Sequence, residues 1–374
     1  MMKRSLLLLS LLAGPCVVPP CKGDNTATPN TDTATPGIPT VTVSPLDKLC
    51  ELMKMVNAKD VEIKVLRAGY EGDTTTLNNL KDKNHISIYC MGAAAAGNKE
   101  LVLQCLDKGA QPNQGLWGAA AGGHMDIVQL MLDKGAHPNK GLECAAWGGH
   151  MDIVQLMLDK GATDYDRGLE GAALGGHMEI VQLMLSKGAD QNKGLSGAAS
   201  GGHVDIVQLM LDKGADPNEG LWGAAMGGHM DIVQLMLSKG ADQNKGLSGA
   251  ASGGHMEIVQ LMLSKGADPN EGLWGAALGG HMDIVQLLLS KGAAPNKGLS
   301  GAAMCGHMDI VQLLLDKGAT DYNDGLYYAA MCGHMDIVQL LLSKGATDLV
   351  SARQAAEDFG HTDCAELIRA AMKK

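Results

Sequence analysis

One motif returns along this chain at nearly constant intervals, and it limits the possible folds more than any other feature. The dipeptide Gly-His occurs ten times, with successive histidines 26 or 27 residues apart, and a representative repeat, residues 220–245, reads GLWGAAMGGHMDIVQLMLSKGADQNK. Two degenerate copies, with Gly97-Asn98 and Gly72-Asp73 in place of Gly-His, bring the number of repeats to about 12. A period of this length predicts an array of stacked repeats.

Each repeat is predicted to contain two helices. In the segment 231–239, Asp231 falls in the first turn and Lys239 in the last, as the helix dipole favours, and Gly240 follows where a left-handed C-cap belongs. This helix is apolar on nearly all sides, so it must be covered on several sides. The preceding segment, 221–227, is rich in Gly and Ala and is a poor helix former alone. The repeats must therefore stack, which predicts an all-α solenoid.

The repeated signature Ala-Ala-x-x-Gly-His-x-Asp-Ile-Val-x-x-x-Leu-x-x-Gly-Ala resembles the ankyrin repeat family. The resemblance covers residues 60–374. The usual repeat of that family has ~33 residues and carries Thr-Pro-Leu-His and a β-hairpin. Here Gly240 to Leu247 runs directly into the next helix, so this is a short variant without the hairpin finger. The resemblance implies an array that binds proteins, but recognition through fingers is not carried over.

The segments outside the array predict an exported protein. Residues 1–15 have a basic start and a short apolar run, as in a secretory signal peptide. Cys16 resembles the lipidated cysteine of bacterial lipoproteins, although Pro15 departs from that pattern, so a lipid-anchored form remains the alternative. Residues 16–45 form a Thr/Pro-rich flexible linker, 46–64 an amphipathic N-terminal capping helix, 65–350 the repeat array, and 351–374 a C-terminal capping repeat with a polar outer face.

Composition and spacing exclude several classes of function. The net charge of −11 argues against a broad nucleic-acid interface, and no internal stretch approaches the ~18 apolar residues of a transmembrane helix. Equivalent histidines of stacked repeats lie ~8–10 Å apart, which is too far for shared zinc ligation. The same spacing excludes a disulfide between Cys305 and Cys332. We therefore expect no metal, no cofactor and no enzymatic activity. We expect the repeated histidine to form its hydrogen bonds within the turn between the two helices of its own repeat.

The positions that vary between repeats are the candidate binding residues. They follow Gly-Leu and Ala-Ala, lie four residues apart, and so share one face of the first helix. The candidates are Trp117, Glu143, Trp147, Glu170, Leu174, Trp222, Met226, Trp274, Leu278, Met304, Tyr327 and Met331. Aromatic and Met side chains are common anchors in protein interfaces. The alternative is that Trp222 and Trp274 fold over the serine pairs of adjacent repeats and fill the space left by the missing hairpins.

These observations predict a monomeric, exported scaffold that binds a protein partner through the first helices. For a bacterial source, the resemblance implies a secreted effector or a surface adaptor. The alternative is a structural spacer at the cell envelope without one specific partner. Residues 194–245 and 246–297 are nearly identical copies, which indicates recent duplication and weakens any claim of a specific site there.

Overall fold

The computed structural model describes residues 60–373, which form 24 helices and no strand. Successive helices pair as helix–turn–helix repeats, so the 24 helices make 12 repeats. The pairs lie in two compact bodies, an N-terminal body of residues 60–164 and a C-terminal body of residues 165–373, and they stack within each. The predicted all-α architecture is confirmed. Odd-numbered helices are called first helices below, and even-numbered helices second helices.

The N-terminal body contains eight helices: α1 (Asp60–Glu71), α2 (Thr74–Asn79), α3 (Lys83–Ala95), α4 (Lys99–Asp107), α5 (Pro112–Gly122), α6 (Met125–Asp133), α7 (Asn139–Gly148) and α8 (Met151–Asp159). The C-terminal body contains sixteen: α9 (Tyr165–Gly175), α10 (Met178–Ser186), α11 (Gln191–Gly201), α12 (Val204–Asp212), α13 (Asn218–Gly227), α14 (Met230–Ser238), α15 (Gln243–Gly253), α16 (Met256–Ser264), α17 (Asn270–Gly279), α18 (Met282–Ser290), α19 (Asn296–Cys305), α20 (Met308–Asp316), α21 (Tyr322–Cys332), α22 (Met335–Ser343), α23 (Leu349–Asp358) and α24 (Thr362–Ala371).

The helix ends follow the predicted local signals with small shifts. Helix α13 begins at Asn218, earlier than residue 221, because the Pro217 backbone is already helical at its N-cap. In α14, Asp231 lies in the first turn as predicted, but the helix ends at Ser238 and Lys239 is the C-cap residue. Gly240 then has φ +89°, a left-handed conformation that few other residues adopt at low cost.

The core lies between the first helices and one face of the second helices. In the repeat of α13 and α14 the fully buried side chains are Leu221, Ala224, Ala225, Ile232, Val233 and Met236. Leu235 and Leu237 are only half-buried, so α14 is covered on one face and not on several sides as expected. The reason is that first helices pack with their backbones close together, whereas the backbones of neighbouring second helices lie farther apart.

Glycine permits this close packing of first helices. A Cβ atom added to Gly249 in α15 would overlap the carbonyl oxygen of Trp222 in α13, and one added to Gly197 would overlap the carbonyl oxygen of Glu170. The Gly- and Ala-rich first helix is therefore the packing surface of the stack, although its intrinsic helix propensity is low.

The repeated histidine joins one repeat to the repeat before it. His229 Nε2 lies 3.2 Å from the carbonyl oxygen of Ser200, near the end of the preceding first helix. Six equivalent contacts in the C-terminal body and two in the N-terminal body involve His124, His150, His203, His229, His255, His281, His307 and His334, at 2.9–3.2 Å. The prediction of a histidine satisfied within its own turn is wrong. The side chain instead satisfies a terminal carbonyl of the neighbouring helix.

Asparagines form a second set of bonds between repeats, at the opposite ends of the helices. Asn244 Oδ1 accepts a hydrogen bond of 2.8 Å from the backbone N–H of Asp268, 24 residues later. Equivalent acceptors are Asn113, Asn139, Asn192, Asn218, Asn270, Asn296 and Asn323, with Asp166 in the same role. These bonds fix each loop on the next loop, where the family's hairpin is missing.

Replacing Asn244 by alanine is expected to lower the free energy of unfolding by about 0.5–1.5 kcal/mol, because the N–H of Asp268 loses its acceptor. Asn244→Asp should retain most of the stability, since Asp166 accepts the equivalent bond from Asp190 at 2.8 Å. Urea denaturation of both variants measures the difference. Equal losses for the two would show that the bond is not the stabilising feature.

Acidification is expected to destabilise the stack through its histidines. Burial lowers the pKa of His281 and of His334 below the ordinary value of 6.5, and the hydrogen bonds to Ser252 and Met304 only partly oppose this. Below pH 6.5 the unfolded chain therefore binds more protons than the folded chain, and the free energy of unfolding falls as the pH drops.

Thermal unfolding at about pH 7.5 and about pH 5.5 tests this expectation, because the interval brackets the ordinary histidine pKa. The midpoint should be lower at the acidic pH. His281→Gln/His334→Gln removes both titrating groups and should show a smaller pH dependence than the unaltered chain. An unchanged dependence would exclude these two histidines as its source.

The capping predictions fall partly on the described residues. The leader 1–15, the linker 16–45 and most of the capping helix 46–64 lie outside them. Helix α1 runs from Asp60 to Glu71 and so crosses the predicted boundary at residue 64. In α23 and α24, Glu357 lies 3.6 Å from Arg353 and 2.8 Å from Arg369, while Val350 is 60% exposed. The last repeat thus carries both charged and apolar exposed side chains.

Candidate functional site

All twelve candidate residues lie on first helices. They belong to α5, α7, α9, α13, α17, α19 and α21, at the position after Gly-Leu or the position after Ala-Ala. Within the C-terminal body, consecutive first helices pack side by side, so its candidate residues from α9 to α21 form one row. Those of α5 and α7 form a second, shorter row in the N-terminal body.

The candidates differ in how much surface they present. Tyr327 is 38% exposed, whereas Trp147 is 8% and Leu278 only 2% exposed. The half-buried candidates are Trp117, Glu143, Glu170, Leu174, Trp222, Met226, Trp274, Met304 and Met331. Trp147 and Leu278 therefore offer a partner little direct contact in this conformation, and the accessible part of the row consists of the other ten residues.

The serine pairs on the first helices adjacent to Trp222 and Trp274 form local hydrogen bonds. Ser200 Oγ donates to the carbonyl oxygen of Ser196, and Ser252 Oγ to that of Ser248, both at 2.9 Å. Ser252 is 7% exposed. If Gly301 on the next first helix carried a Cβ atom, that atom would lie 3.4 Å from Trp274 Cδ1. The indole therefore packs against that helix. Part of the ring contributes to packing between repeats, and part stays accessible.

A row of charged residues that sequence reasoning missed lies beside these positions. From α11 to α21, the position three residues before the first variable position holds Lys193, Glu219, Lys245, Glu271, Lys297 and Asp324, all exposed. The i, i+3 spacing places each charge on the same helix face as the variable residue. The sequence contains the signal that would have located this row: in these helices an acidic residue lies three positions before each aromatic residue at the first variable position, and a lysine lies three positions before each serine there. Glu219, Glu271 and Asp324 form no ion pair with any described residue.

Two surface depressions of the C-terminal body are open and shallow. The first, of about 440 Å³, is lined by Thr320, Asp321, Tyr322, Asn323, Asp324 and Gly345. The second, of about 340 Å³, lies at the turn that contains His334 and Met335. Neither has the enclosed apolar form that small-molecule sites usually have.

The thiols and histidines of residues 60–373 are possible metal ligands and nucleophiles. No group of three or more His, Cys, Asp or Glu residues there is arranged to hold a metal ion. Cys90, Cys105, Cys144 and Cys364 are free thiols, and burial raises the pKa of the Cys144 thiol well above its usual range. Cys90 is hydrogen-bonded to Cys105, which together with burial also raises its pKa. Such thiols are poor nucleophiles because the thiolate is the reactive form.

The comparison with known families decides the classification. The family model described as "Ankyrin repeats (3 copies)" matches residues 90–168, 195–272, 221–298, 273–353 and 299–371, together more than half of the chain. The chain belongs to the ankyrin repeat family. No curated protein matches it.

Membership in the ankyrin repeat family indicates a scaffold for protein–protein interaction, in a family that is typically non-enzymatic. This array differs from the usual ankyrin repeat in its loops, where the described residues form no hairpin and the asparagine bonds link the repeats directly. Among residues 60–373, none of the helices combines the length and apolar character needed to cross a membrane.

Proposed function

We propose that this ankyrin array is an exported, monomeric scaffold that binds a protein partner through its row of first helices. The observation that carries the proposal is the contrast between positions within one repeat. The Ala-Ala and Ile-Val pairs recur in nearly every repeat and are buried, whereas ten of the twelve candidate residues keep exposed surface, among them Trp222, Trp274 and Tyr327. Partly exposed aromatic side chains on a rigid support are typical anchors of protein interfaces.

The acidic net charge of −11 supports a protein partner over a nucleic acid, because nucleic-acid interfaces neutralise phosphates with basic side chains.

Export is supported by the basic and apolar pattern of residues 1–15. In a bacterial setting such a protein would act as a secreted effector or a surface adaptor. Fusion of the first 45 residues to a reporter enzyme that is active only outside the cytoplasm tests export, and an inactive fusion would contradict it.

Site-specific crosslinking tests the binding row. A photoreactive phenylalanine analogue placed at Tyr327 or at Trp222 should give the same discrete adduct in extracts of the native host. Placed at Gln339 or Gln234, which are exposed on second helices, it should give none. The adduct should weaken in the Met304→Ala/Met331→Ala variant, provided that the variant keeps the circular dichroism of the unaltered chain. Equal adducts from both helix layers would contradict the proposal.

The near identity of residues 194–245 and 246–297 favours a second candidate, a structural spacer at the cell envelope without one specific partner. Deletion of residues 220–271 removes two whole repeats and keeps the register of the rest. A spacer should tolerate this deletion, whereas a specific binder should lose the crosslinked adduct at Tyr327. Absence of a discrete adduct at Tyr327 both before and after the deletion would favour the spacer.

A further inference from the structure

Three first helices of the C-terminal body combine a carboxylate with an aromatic ring. The pairs are Glu219 with Trp222 on α13, Glu271 with Trp274 on α17, and Asp324 with Tyr327 on α21. In each pair the residues are three positions apart, so both side chains leave the same face of the helix. All three carboxylates are exposed, and none has an ion-pair partner among the described residues.

The intervening first helices have the opposite character. Lys193 precedes Ser196 on α11, Lys245 precedes Ser248 on α15, and Lys297 precedes Ser300 on α19, again at three-residue spacing. From α11 to α21 the row therefore alternates between an acidic aromatic helix and a basic serine helix, whereas α9 has Arg167 and Glu170 at these positions. This alternation divides the row into three separate acidic aromatic positions, two repeats apart.

Duplication does not account for the third pair. Glu219–Trp222 and Glu271–Trp274 lie in nearly identical copies, but Asp324–Tyr327 lies in a divergent repeat. In that repeat Asp replaces Glu and Tyr replaces Trp, so both residues have changed while the combination of a carboxylate and an aromatic ring is kept. The depression of about 440 Å³ beside this helix adds a second carboxylate, Asp321, and a second ring, Tyr322.

We propose that the partner presents basic side chains, arginine foremost, to these three helices, an inference that rests on the proposed function of the row. A guanidinium group stacks on an aromatic ring and pairs with a carboxylate at the same time. Lysine residues on the intervening helices repel a basic side chain that binds out of register. The net charge of −11 also attracts a basic segment at long range.

The spacing of the helices sets the spacing of the basic residues. Stacked helices lie ~10 Å apart, so equivalent positions two repeats apart are separated by ~20 Å. An extended chain advances ~3.3 Å per residue, so each arginine must follow the previous one after a step of about six residues. A single site of this kind is weak, but three sites engaged together raise the apparent affinity.

A labelled peptide with three arginines at six-residue spacing in a Gly/Ser background tests the inference with the full chain. Fluorescence anisotropy should show at least tenfold tighter binding than for a peptide with glutamine at the same three positions. Glu219→Gln/Glu271→Gln/Asp324→Asn should weaken binding at least fivefold. The matched control Asp212→Asn/Glu257→Gln/Asp316→Asn removes three exposed carboxylates from second helices and should weaken it less than twofold. Equal losses from the two triple variants, or no preference for arginine, would overturn the inference.

Selection of peptides from a random display library on the full chain separates this inference from the proposed function. Enrichment of arginine, with binding lost in Trp222→Leu/Trp274→Leu/Tyr327→Leu, supports both. These leucines keep apolar volume, and circular dichroism checks the fold. Peptides without basic residues that still depend on the three rings would overturn the basic-partner inference and leave the binding row standing. Peptides that bind this variant unchanged would overturn both.

Discussion

Replacing Gly249 by alanine is expected to cause one of the largest losses of stability in this chain, about 2–3 kcal/mol. A Cβ atom at this position would overlap the carbonyl oxygen of Trp222, and its other nearest neighbours, the Trp222 carbonyl carbon and the Met226 nitrogen, also belong to the backbone. No side chain can rotate away, so α13 and α15 must separate. Urea denaturation, with hydrogen exchange to locate the opening between these helices, measures the effect.

The matched substitution is Gly223→Ala, one repeat earlier. Its Cβ atom would meet the Ser200 hydroxyl, which is the end of a side chain and not backbone. The loss should therefore be smaller, and Ser200→Ala in the same chain should recover part of it. If Gly249→Ala costs no more stability than Gly223→Ala, backbone contact between first helices is not what limits their approach.

The second large effect is expected for His255→Ala, which should lower the free energy of unfolding by about 2–3 kcal/mol. The loss arises because a carbonyl is left without its hydrogen-bond partner and the packing of the ring is removed. His255 Nε2 lies 2.9 Å from the Met226 carbonyl oxygen, and its ring lies against Gly228 and Gly253. Removing the ring leaves a terminal carbonyl of α13 without its partner and opens a gap between two repeats. Hydrogen exchange should increase first at the end of α13.

His137 provides the control because it is an exposed histidine in a loop, whose ring only accepts a bond of 3.3 Å from the Asn139 N–H. His137→Ala should change the free energy of unfolding by less than about 0.5 kcal/mol, as most surface substitutions do. Similar losses for the two variants would contradict the stabilising role of the repeated histidine.

Much of the fold could be predicted because its signals are local and repeated. Asp231 in a first turn and Gly240 beyond a helix end act within a few residues, and their recurrence reveals the helix pairs. The variable positions could also be located, since four-residue spacing places them on one face. The exposure of these positions could not be predicted, because Leu278 and Tyr327 lie on the same face of their helices and yet are 2% and 38% exposed.

The sequence by itself determined the period, the two helices of each repeat, the buried Ala, Ile and Val positions and the membership in the ankyrin repeat family. Only the tertiary structure decided how repeats are joined: His255 bonds a carbonyl 29 residues earlier, and Asn244 an N–H 24 residues later. The physical reason is that helix signals and apolar periodicity act along one segment. A hydrogen bond between repeats, or a Gly249 that tolerates no Cβ atom, depends on how closely and in which register two segments pack.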